Sequence, residues 1–317
     1  LTMNNRRSFI IGIKSTKLLK KEKDFLKKYK PWGIILFSRN IKSILQVKIL
    51  TNDIKRIFKD KNYPILIDQE GGRVNRLKKI INSDPLTSKF FGNLYQKDLK
   101  KFYNYYKIFT YRISYLLKTL GININTVPVL DLNLKGSSNI IGDRSFSDNP
   151  KIVSNIGNIC IKNFHKNKIG TVIKHIPGHG HAKVDSHQFT PVVKVKYKDL
   201  LKNDFFAFKN KKSFLAMTAH IIYKNIDPLN TATHSKKVIK IIRKKIKFNN
   251  ILMSDDISMK SLKYSIKENT IKAFFAGCNL VLHCNGNYQE MLMVAKNSPY
   301  MSKFLIKKTS QFYKVLS

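Results

Sequence analysis

Short apolar runs alternate with longer, lysine-rich segments along the whole chain. Each run is three to five residues long, as expected for a buried strand, and the segments between the runs have a helical pattern. Strands that alternate with helices are typical of a parallel sheet built from βα units. The pattern therefore predicts eight strands, at residues 9–13, 33–37, 65–67, 127–130, 171–173, 214–217, 251–253 and 279–282.

Eight βα units in 317 residues fit either a closed (β/α)8 barrel or an open, doubly wound sheet. Polar residues follow six consecutive runs, the second to the seventh: Ser38-Arg39-Asn40, Asp68-Gln69-Glu70, Asp131, Lys174-His175, His220 and Asp255-Asp256. A barrel builds its active site at the carboxyl ends of several strands, so these residues favour the barrel. No linker rich in proline, serine or glycine divides the chain. We predict an α/β fold with one domain, a (β/α)8 TIM barrel over residues 1–317.

The formal net charge of +41 would ordinarily indicate a partner such as nucleic acid. Only nine of the 60 basic residues are arginine, however, and lysine, isoleucine and asparagine are abundant together. These three amino acids have A/T-rich codons, and the lysines are spread along the chain rather than gathered in one patch. We therefore attribute the charge to composition and predict no nucleic-acid partner.

The cysteines and the N-terminus bear on the compartment. Cys160, Cys278 and Cys284 are odd in number and lack the spacing of a metal site, as is typical of reduced thiols. The apolar stretch at residues 8–13 is too short for a signal peptide, and no run has the length of a membrane span. We expect a soluble, cytoplasmic monomer with no membrane partner.

The richest polar segment runs from Lys174 to His187. Its Pro-Gly-His-Gly sequence cannot continue the preceding strand, which places Lys174 and His175 at a strand end and Asp185 and His187 on the loop that follows. Residues two apart on an extended segment share one face, so Asp185 can orient the His187 ring and stabilise its charged form. A solvated loop with incidental histidines is the alternative for any one of these residues.

Four histidines in this segment also allow a zinc site. The His179-Gly180-His181 pair, however, lies in the loop rather than at the end of a strand. We therefore predict no metal.

Two further segments carry candidate ligand-binding residues. Asp68 follows a strand and precedes a Gly-Gly turn, so its carboxylate can accept hydrogen bonds from two sugar hydroxyls. The alternative is an acidic residue that complements a helix dipole. Arg144 lies in a glycine turn and can clamp a polar group through two hydrogen bonds.

Asp255 and Asp256 come directly after a strand, and adjacent side chains point in different directions. We expect Asp255 to face the barrel mouth and Asp256 to cap a following helix. A carboxylate opposite an acid/base group is the arrangement of retaining glycoside hydrolases. His220, alone at its strand end, fits a structural hydrogen bond as well as a catalytic role.

Taken together, these motifs resemble those of bacterial β-N-acetylhexosaminidases of glycoside hydrolase family 3, the enzymes of peptidoglycan recycling. The Lys-His-x-Pro-Gly-His-Gly element with its Asp-Ser-His sequel is the most specific of them. The resemblance implies a retaining exo-hydrolase that removes β-linked N-acetylglucosamine from 1,6-anhydro-N-acetylmuramic acid muropeptides, without a cofactor. It implies catalysis by Asp255 as nucleophile and by His187 with Asp185 as acid/base dyad. It also implies that five residues bind the sugar: Asp68, Arg76, Arg144, Lys174 and His175.

Two other functions remain open at this point. A glycoside phosphorylase of the same fold is one, because a histidine tolerates an incoming phosphate better than a carboxylate does. A catalytically decayed barrel that binds polyanions is the other, and it would bind DNA with a steep salt dependence.

Overall fold

The chain folds into a closed barrel of eight parallel strands in a computed structural model that describes residues 3–136, 138–184 and 189–316. Each strand pairs with the next one along the chain, and the eighth pairs with the first. The barrel confirms the predicted fold class and excludes the open sheet. Its strands are β1 (Arg7–Gly12), β2 (Pro31–Leu36), β3 (Ile65–Ile67), β4 (Ile124–Asn125), β5 (Gly170–Ile176), β6 (Leu215–Thr218), β7 (Ile251–Asp256) and β8 (Leu280–His283).

Helices surround this barrel, and most of them connect one strand to the next. They are α1 (Lys20–Tyr29), α2 (Ile44–Phe58), α3 (Ser88–Lys97), α4 (Leu99–Thr119), α5 (Pro150–Lys166), α6 (Tyr197–Lys202), α7 (Asp204–Phe208), α8 (Lys236–Lys244), α9 (Ile266–Ala276), α10 (Tyr288–Asn297) and α11 (Lys303–Leu316). Two small two-stranded sheets lie outside the barrel: Gln69–Gly71 with Val74–Asn75, and Val192–Val193 with Ile222–Tyr223. None of the described helices is long and apolar enough to cross a bilayer.

Helix α11 packs against the apolar interior of the barrel. Its Phe312 is fully buried among inward-facing strand residues, and Thr309 accepts a hydrogen bond from the buried Trp32 indole at 2.9 Å. A Cβ atom at Gly170 would lie 2.6 Å from the Phe312 ring, so the start of β5 needs glycine for this contact. The interior is thus filled with side chains, which leaves the ends of the strands and the loops that follow them for chemistry.

Seven of the eight predicted strands overlap the observed ones, but the prediction for the fourth was wrong. Residues 127–130 follow β4 and form only an isolated bridge, between Val129 and Lys174. Pro128 has no amide hydrogen to donate to a neighbouring strand, and the Val127-Pro128 peptide bond is cis. The ladder therefore forms three residues earlier, at Ile124–Asn125.

Strands β5 and β7 extend further than their apolar runs predict. Lys174 and His175 lie inside β5, and Asp255 and Asp256 are the last two residues of β7. Backbone hydrogen bonding to the neighbouring strands thus fixes the backbone of these polar residues. The structure places them on the rigid barrel rather than on a loop.

Candidate active site

A cleft at the carboxyl ends of the strands brings together six residues that the sequence singles out as site residues. Asp68, Arg76, Arg144, Lys174, His175 and Asp255 all line it. They come from β5, from β7 and from the segments that follow β3 and β4, as the barrel interpretation requires. The two remaining predicted residues, Asp185 and His187, lie outside the described residues, so their roles stay predictions.

Lys174 is the centre of a buried ion network in this cleft. Its ammonium group lies 3.1 Å from Asp68 Oδ1, 2.7 Å from Glu70 Oε1 and 3.0 Å from the hydroxyl oxygen of Thr126. An ammonium group has three hydrogens, so these three acceptors occupy all of them. Lys174 therefore orients two carboxylates, and a sugar hydroxyl would have to replace one of its partners to bind it directly.

Asp68 also contacts Arg76 and Thr126. Arg76 donates to Asp68 Oδ2 at 3.3 Å, and the Thr126 hydroxyl donates to Oδ1. Burial alone would raise the pKa of Asp68, but the positive charges of Lys174 and Arg76, with the hydrogen bonds, outweigh it and hold the pKa well below its usual value. Asp68 is therefore a fixed anion with geometry suited to accepting hydrogen bonds from a ligand.

Glu70 pairs with Arg144 through two parallel hydrogen bonds. Arg144 Nε lies 2.8 Å from Oε2 and Nη2 lies 2.9 Å from Oε1 of a carboxylate that is 3% exposed. Burial would raise the pKa of Glu70, but Arg144 and Lys174 lower it to about 2. The same carboxylate, against the cost of burial, raises the pKa of Arg144 above its ordinary value. Arg144 thus holds a carboxylate of the protein itself through two hydrogen bonds, and its role in binding a sugar stays a prediction.

We expect Glu70→Gln to lower the free energy of unfolding by about 3 kcal/mol at pH 7, because Arg144 loses its buried counterion. The pKa of Glu70 falls from 4.5 to about 2 on folding, so its ionised form stabilises the protein above about pH 4.5. That contribution is lost as the pH falls toward 2. Urea unfolding of both proteins from pH 7 to pH 3 should show the difference shrinking; a constant difference would contradict the ion pair.

His175 is held by Asp131, a fully buried carboxylate. The ring Nδ1 donates to Asp131 Oδ2 at 2.6 Å, and the backbone amides of His175 and His179 donate to the same carboxylate. Burial would raise the pKa of Asp131, but His175 and these hydrogen bonds lower it. Nδ1 is thereby fixed as a donor, which leaves Nε2 as the ring nitrogen available to a ligand.

The glycines after β5 let the loop pack closely on Asp204. A Cβ atom at Gly178, which has φ +137°, would lie 2.5 Å from the Asp204 Cβ, and one at Gly180 would lie 2.9 Å from its Oδ1. Asp204 accepts a hydrogen bond from the Gly180 amide at 2.8 Å and another from His181 Nδ1. Glycine is therefore required at positions 178 and 180 by this close approach.

The two histidines that most suggested a metal site have different surroundings. His179 lines the cleft, and burial lowers its pKa to about 4. His181 contacts Asp204, and that hydrogen bond raises its pKa. Within residues 3–136, 138–184 and 189–316, no three histidine, cysteine, aspartate or glutamate side chains are grouped to hold a metal ion. The expectation of a metal-free site stays a prediction.

Asp255 and Asp256 have different roles, as expected for adjacent side chains. Asp255 lines the cleft, and its Oδ1 accepts from the Asp256 amide at 2.7 Å. Asp256 turns away, and its carboxylate accepts from Ser258 and from the amide of Cys284 at 3.2 Å. The expected helix N-cap at Asp256 was wrong, because a turn follows β7 and the next helix begins only at Ile266.

Apolar side chains complete the cleft, and Ile140, Ile141, Met217 and Leu282 are among them. Such a wall suits the apolar face of a sugar ring while the ion network meets its hydroxyls. A larger cavity, about 680 Å³ against about 140 Å³ for the cleft, lies at the opposite end of the barrel. Its lining contains one acid, Asp60, which is paired with Arg6, so the chemistry points to the smaller cleft.

The sequence predicts no role for Glu70, Asp131 or Thr126. A local signal existed for Glu70: it lies two residues after Asp68 on an extended segment, so both side chains share one face. No local signal exists for the pairing of Asp131 with His175, because 44 residues separate them.

The chain is similar in sequence to beta-hexosaminidases and in structure to NagZ. A beta-hexosaminidase of Nitrosomonas eutropha is 33% identical over 260 residues, which are 80% of this chain and 73% of that protein. A beta-hexosaminidase of Haemophilus influenzae is 33% identical over 285 residues, 88% of this chain and 79% of that protein. The crystal structure of native NagZ from Neisseria gonorrhoeae has a TM-score of 0.87 and 28% identity, with 99% of this chain and 90% of that one covered.

Residues 8–309 match the family described as Glycosyl hydrolase family 3 N terminal domain. The match covers every strand of the barrel except the first residue of β1. It also includes all six described residues of the cleft that the sequence predicts. The chain therefore belongs to glycosyl hydrolase family 3, a family of glycosidases.

Proposed function

We propose that the chain is a retaining exo-β-N-acetylglucosaminidase that acts on peptidoglycan fragments ending in 1,6-anhydro-N-acetylmuramic acid. In this proposal residues 1–317 form one catalytic domain, which works as a cytoplasmic monomer on a small-molecule substrate and needs no cofactor. The beta-hexosaminidases and NagZ among its relatives support the sugar specificity. The observation that carries the proposal is a cleft in which Asp255 and the Asp68–Lys174 ion network line the same space.

The proposed reaction has two steps. Asp255 attacks the anomeric carbon while His187 donates a proton to the leaving oxygen, which breaks the glycosidic bond and forms a glycosyl ester on Asp255. His187 then removes a proton from water, whose oxygen attacks the same carbon and releases Asp255 as a carboxylate. Asp185 would orient the His187 ring and stabilise its cationic form. A histidine suits both roles because its ordinary pKa lies near neutral pH.

The charge pattern of the cleft supports a sugar ligand. Asp68 offers carboxylate oxygens to hydroxyl donors, while Arg76 and the Nε2 atom of His175 offer further polar contacts. Asp68 and Glu70 both have pKa values shifted down, so they stay ionised over the whole physiological range. Fixed charges of this kind bind a neutral polyhydroxylated ligand through charge-assisted hydrogen bonds.

The purified protein should release 4-nitrophenol from 4-nitrophenyl N-acetyl-β-D-glucosaminide at least about 100-fold faster than from the β-glucoside, which lacks the acetamido group. The first sugar observed by proton NMR should be the β-anomer, as retention requires. Adding phosphate should change neither the rate nor the product. The α-anomer would contradict retention, and a sugar 1-phosphate would identify a phosphorylase.

A further inference from the structure

His220 is a buried histidine that the proposed reaction leaves without a role. It lies two residues beyond the end of β6, is 1% exposed and is hydrogen-bonded through both ring nitrogens. Nε2 lies 2.9 Å from the carbonyl oxygen of Asp256, and Nδ1 lies 2.7 Å from the hydroxyl oxygen of Thr233. The ring therefore connects the end of β7 with the Ala232–His234 turn.

The hydrogen-bond partners determine which nitrogen of His220 carries the proton. A carbonyl oxygen has no hydrogen, so Nε2 must be the donor to Asp256. In the neutral ring Nδ1 is then an acceptor, so the single hydroxyl hydrogen of Thr233 points to Nδ1 at 2.7 Å rather than to the carbonyl oxygen of Ala219 at 3.3 Å. The hydroxyl oxygen of Thr218 lies 2.8 Å from the hydroxyl oxygen of Thr233, so Thr218 can donate a hydrogen bond to Thr233. The side chains of Thr218 and Thr233 thus help to hold His220 in the tautomer that is protonated on Nε2.

Burial keeps the ring uncharged. It lowers the pKa of His220 against the opposing effect of Asp255, so the imidazole is neutral at physiological pH. A neutral ring therefore places no formal positive charge beside Asp255. The contribution of His220 is then its hydrogen bond to the backbone.

That hydrogen bond acts on the residue next to Asp255. The Asp256 amide donates to the Asp255 carboxylate, the Asp256 side chain is held by Ser258 and Cys284, and the Asp256 carbonyl is held by His220. Every polar group of Asp256 therefore has a partner. Hydrogen bonds to the amide, the side chain and the carbonyl of Asp256 therefore hold the backbone that follows Asp255.

We propose that His220, with Thr233 fixing its tautomer, is a positioning residue for Asp255. It holds the Asp255-Asp256 segment so that the Asp255 carboxylate points into the cleft. This inference rests on the proposed function, because the Asp255 carboxylate needs such alignment only if it attacks the sugar. A misplacement of the reacting atoms by about 1 Å costs about 100-fold in rate.

Substitution of His220 by leucine and by glutamine separates positioning from other roles. His220→Gln keeps an Nε2–H group at a similar distance from the backbone, whereas His220→Leu cannot donate. We expect kcat to fall about 100-fold in the leucine variant and less than about 10-fold in the glutamine variant, with KM nearly unchanged in both. The substrate is 4-nitrophenyl N-acetyl-β-D-glucosaminide.

His234 provides the matched control. It is also buried and neutral, and its Nε2 lies 3.2 Å from the carbonyl oxygen of Asn269, which belongs to α9 and not to the end of β7 that carries Asp255. His234→Leu should lose stability without losing kcat. Equal loss of kcat in the His220 and His234 leucine variants would overturn the proposal. So would full activity in His220→Leu, or a glutamine variant as inactive as the leucine one.

A second measurement does not depend on turnover. In protein labelled with ¹⁵N-histidine, the His220 ring, identified by its absence in His220→Gln, should show a protonated Nε2 and an unprotonated Nδ1 from pH 8 to pH 7. A ring that titrates in this range, or that carries its proton on Nδ1, contradicts the proposal. If the wild-type protein shows this tautomer but hydrolyses no N-acetylhexosaminide, the proposed function fails while the contact stands.

Discussion

Asp255→Ala should lower kcat for the aryl N-acetylglucosaminide on the order of 10⁴-fold, because the first step then has no nucleophile. Sodium azide should restore release of 4-nitrophenol, since the small anion can occupy the space of the missing carboxylate. Azide attacks the anomeric carbon directly, so the product should be the α-glycosyl azide, opposite in configuration to the substrate. Chromatography and NMR of the product distinguish it from the free sugar.

Asp256→Asn is the matched control for this prediction. The amide oxygen of asparagine can still accept hydrogen bonds from Ser258 and from the Cys284 backbone, so the end of β7 should keep its conformation. We expect less than a 10-fold loss of kcat and no effect of azide. Wild-type activity in Asp255→Ala, or azide rescue of Asp256→Asn instead, would show that the nucleophile is assigned to the wrong residue.

The position of the cleft could be predicted from sequence because the barrel makes it a geometric necessity. Once eight strands run parallel, the residues after each apolar run must meet at one end. Asp68, Lys174 and Asp255 lie far apart in the chain, yet all three line the same cleft. The sequence therefore predicts which residues converge there.

The partners of these residues could not be predicted, because they depend on distances of a few ångströms between remote segments. Lys174 lies 106 residues from Asp68, and Arg144 lies 74 residues from Glu70. A sequence pattern does not show that Lys174 contacts two carboxylates. For the same reason the sequence did not show the contacts of Lys174 with Asp68, Glu70 and Thr126, and its role as a sugar ligand stays a prediction.

The boundaries of β4 and β5 show a second limit. Apolar runs predict strands by side-chain burial, but a ladder also needs amide donors, and Pro128 has none. Conversely, polar residues extend β5 through Lys174 and His175, because their side chains contact buried carboxylates, those of Asp68, Glu70 and Asp131. The hydrophobic pattern of a sequence does not show that a charged residue is buried when its partner is distant in the chain.

Lys174→Met should therefore damage both the fold and the reaction. Methionine fills a similar volume but leaves Asp68 with Arg76 at 3.3 Å and Glu70 with Arg144 as their charged partners. We expect the free energy of unfolding to fall by about 3–5 kcal/mol at pH 7, as for other broken buried ion pairs. We expect kcat/KM for the aryl N-acetylglucosaminide to fall about 1000-fold, because Asp68 is no longer oriented toward the sugar.

The pH dependence of the Lys174→Met defect distinguishes lost charge from lost packing. Without Lys174, burial favours the protonated forms of Asp68 and Glu70, so their pKa values in the folded variant should rise. Because these carboxyls are then less acidic than in the wild-type protein, the stability deficit should shrink as the pH falls from about 4.5 toward 3. Lys240→Met, at an exposed position of α8, is the control and should match the wild type in urea unfolding and in activity. A deficit that stays constant from pH 7 to pH 3 would indicate a packing defect, because only a charge defect is relieved by protonation.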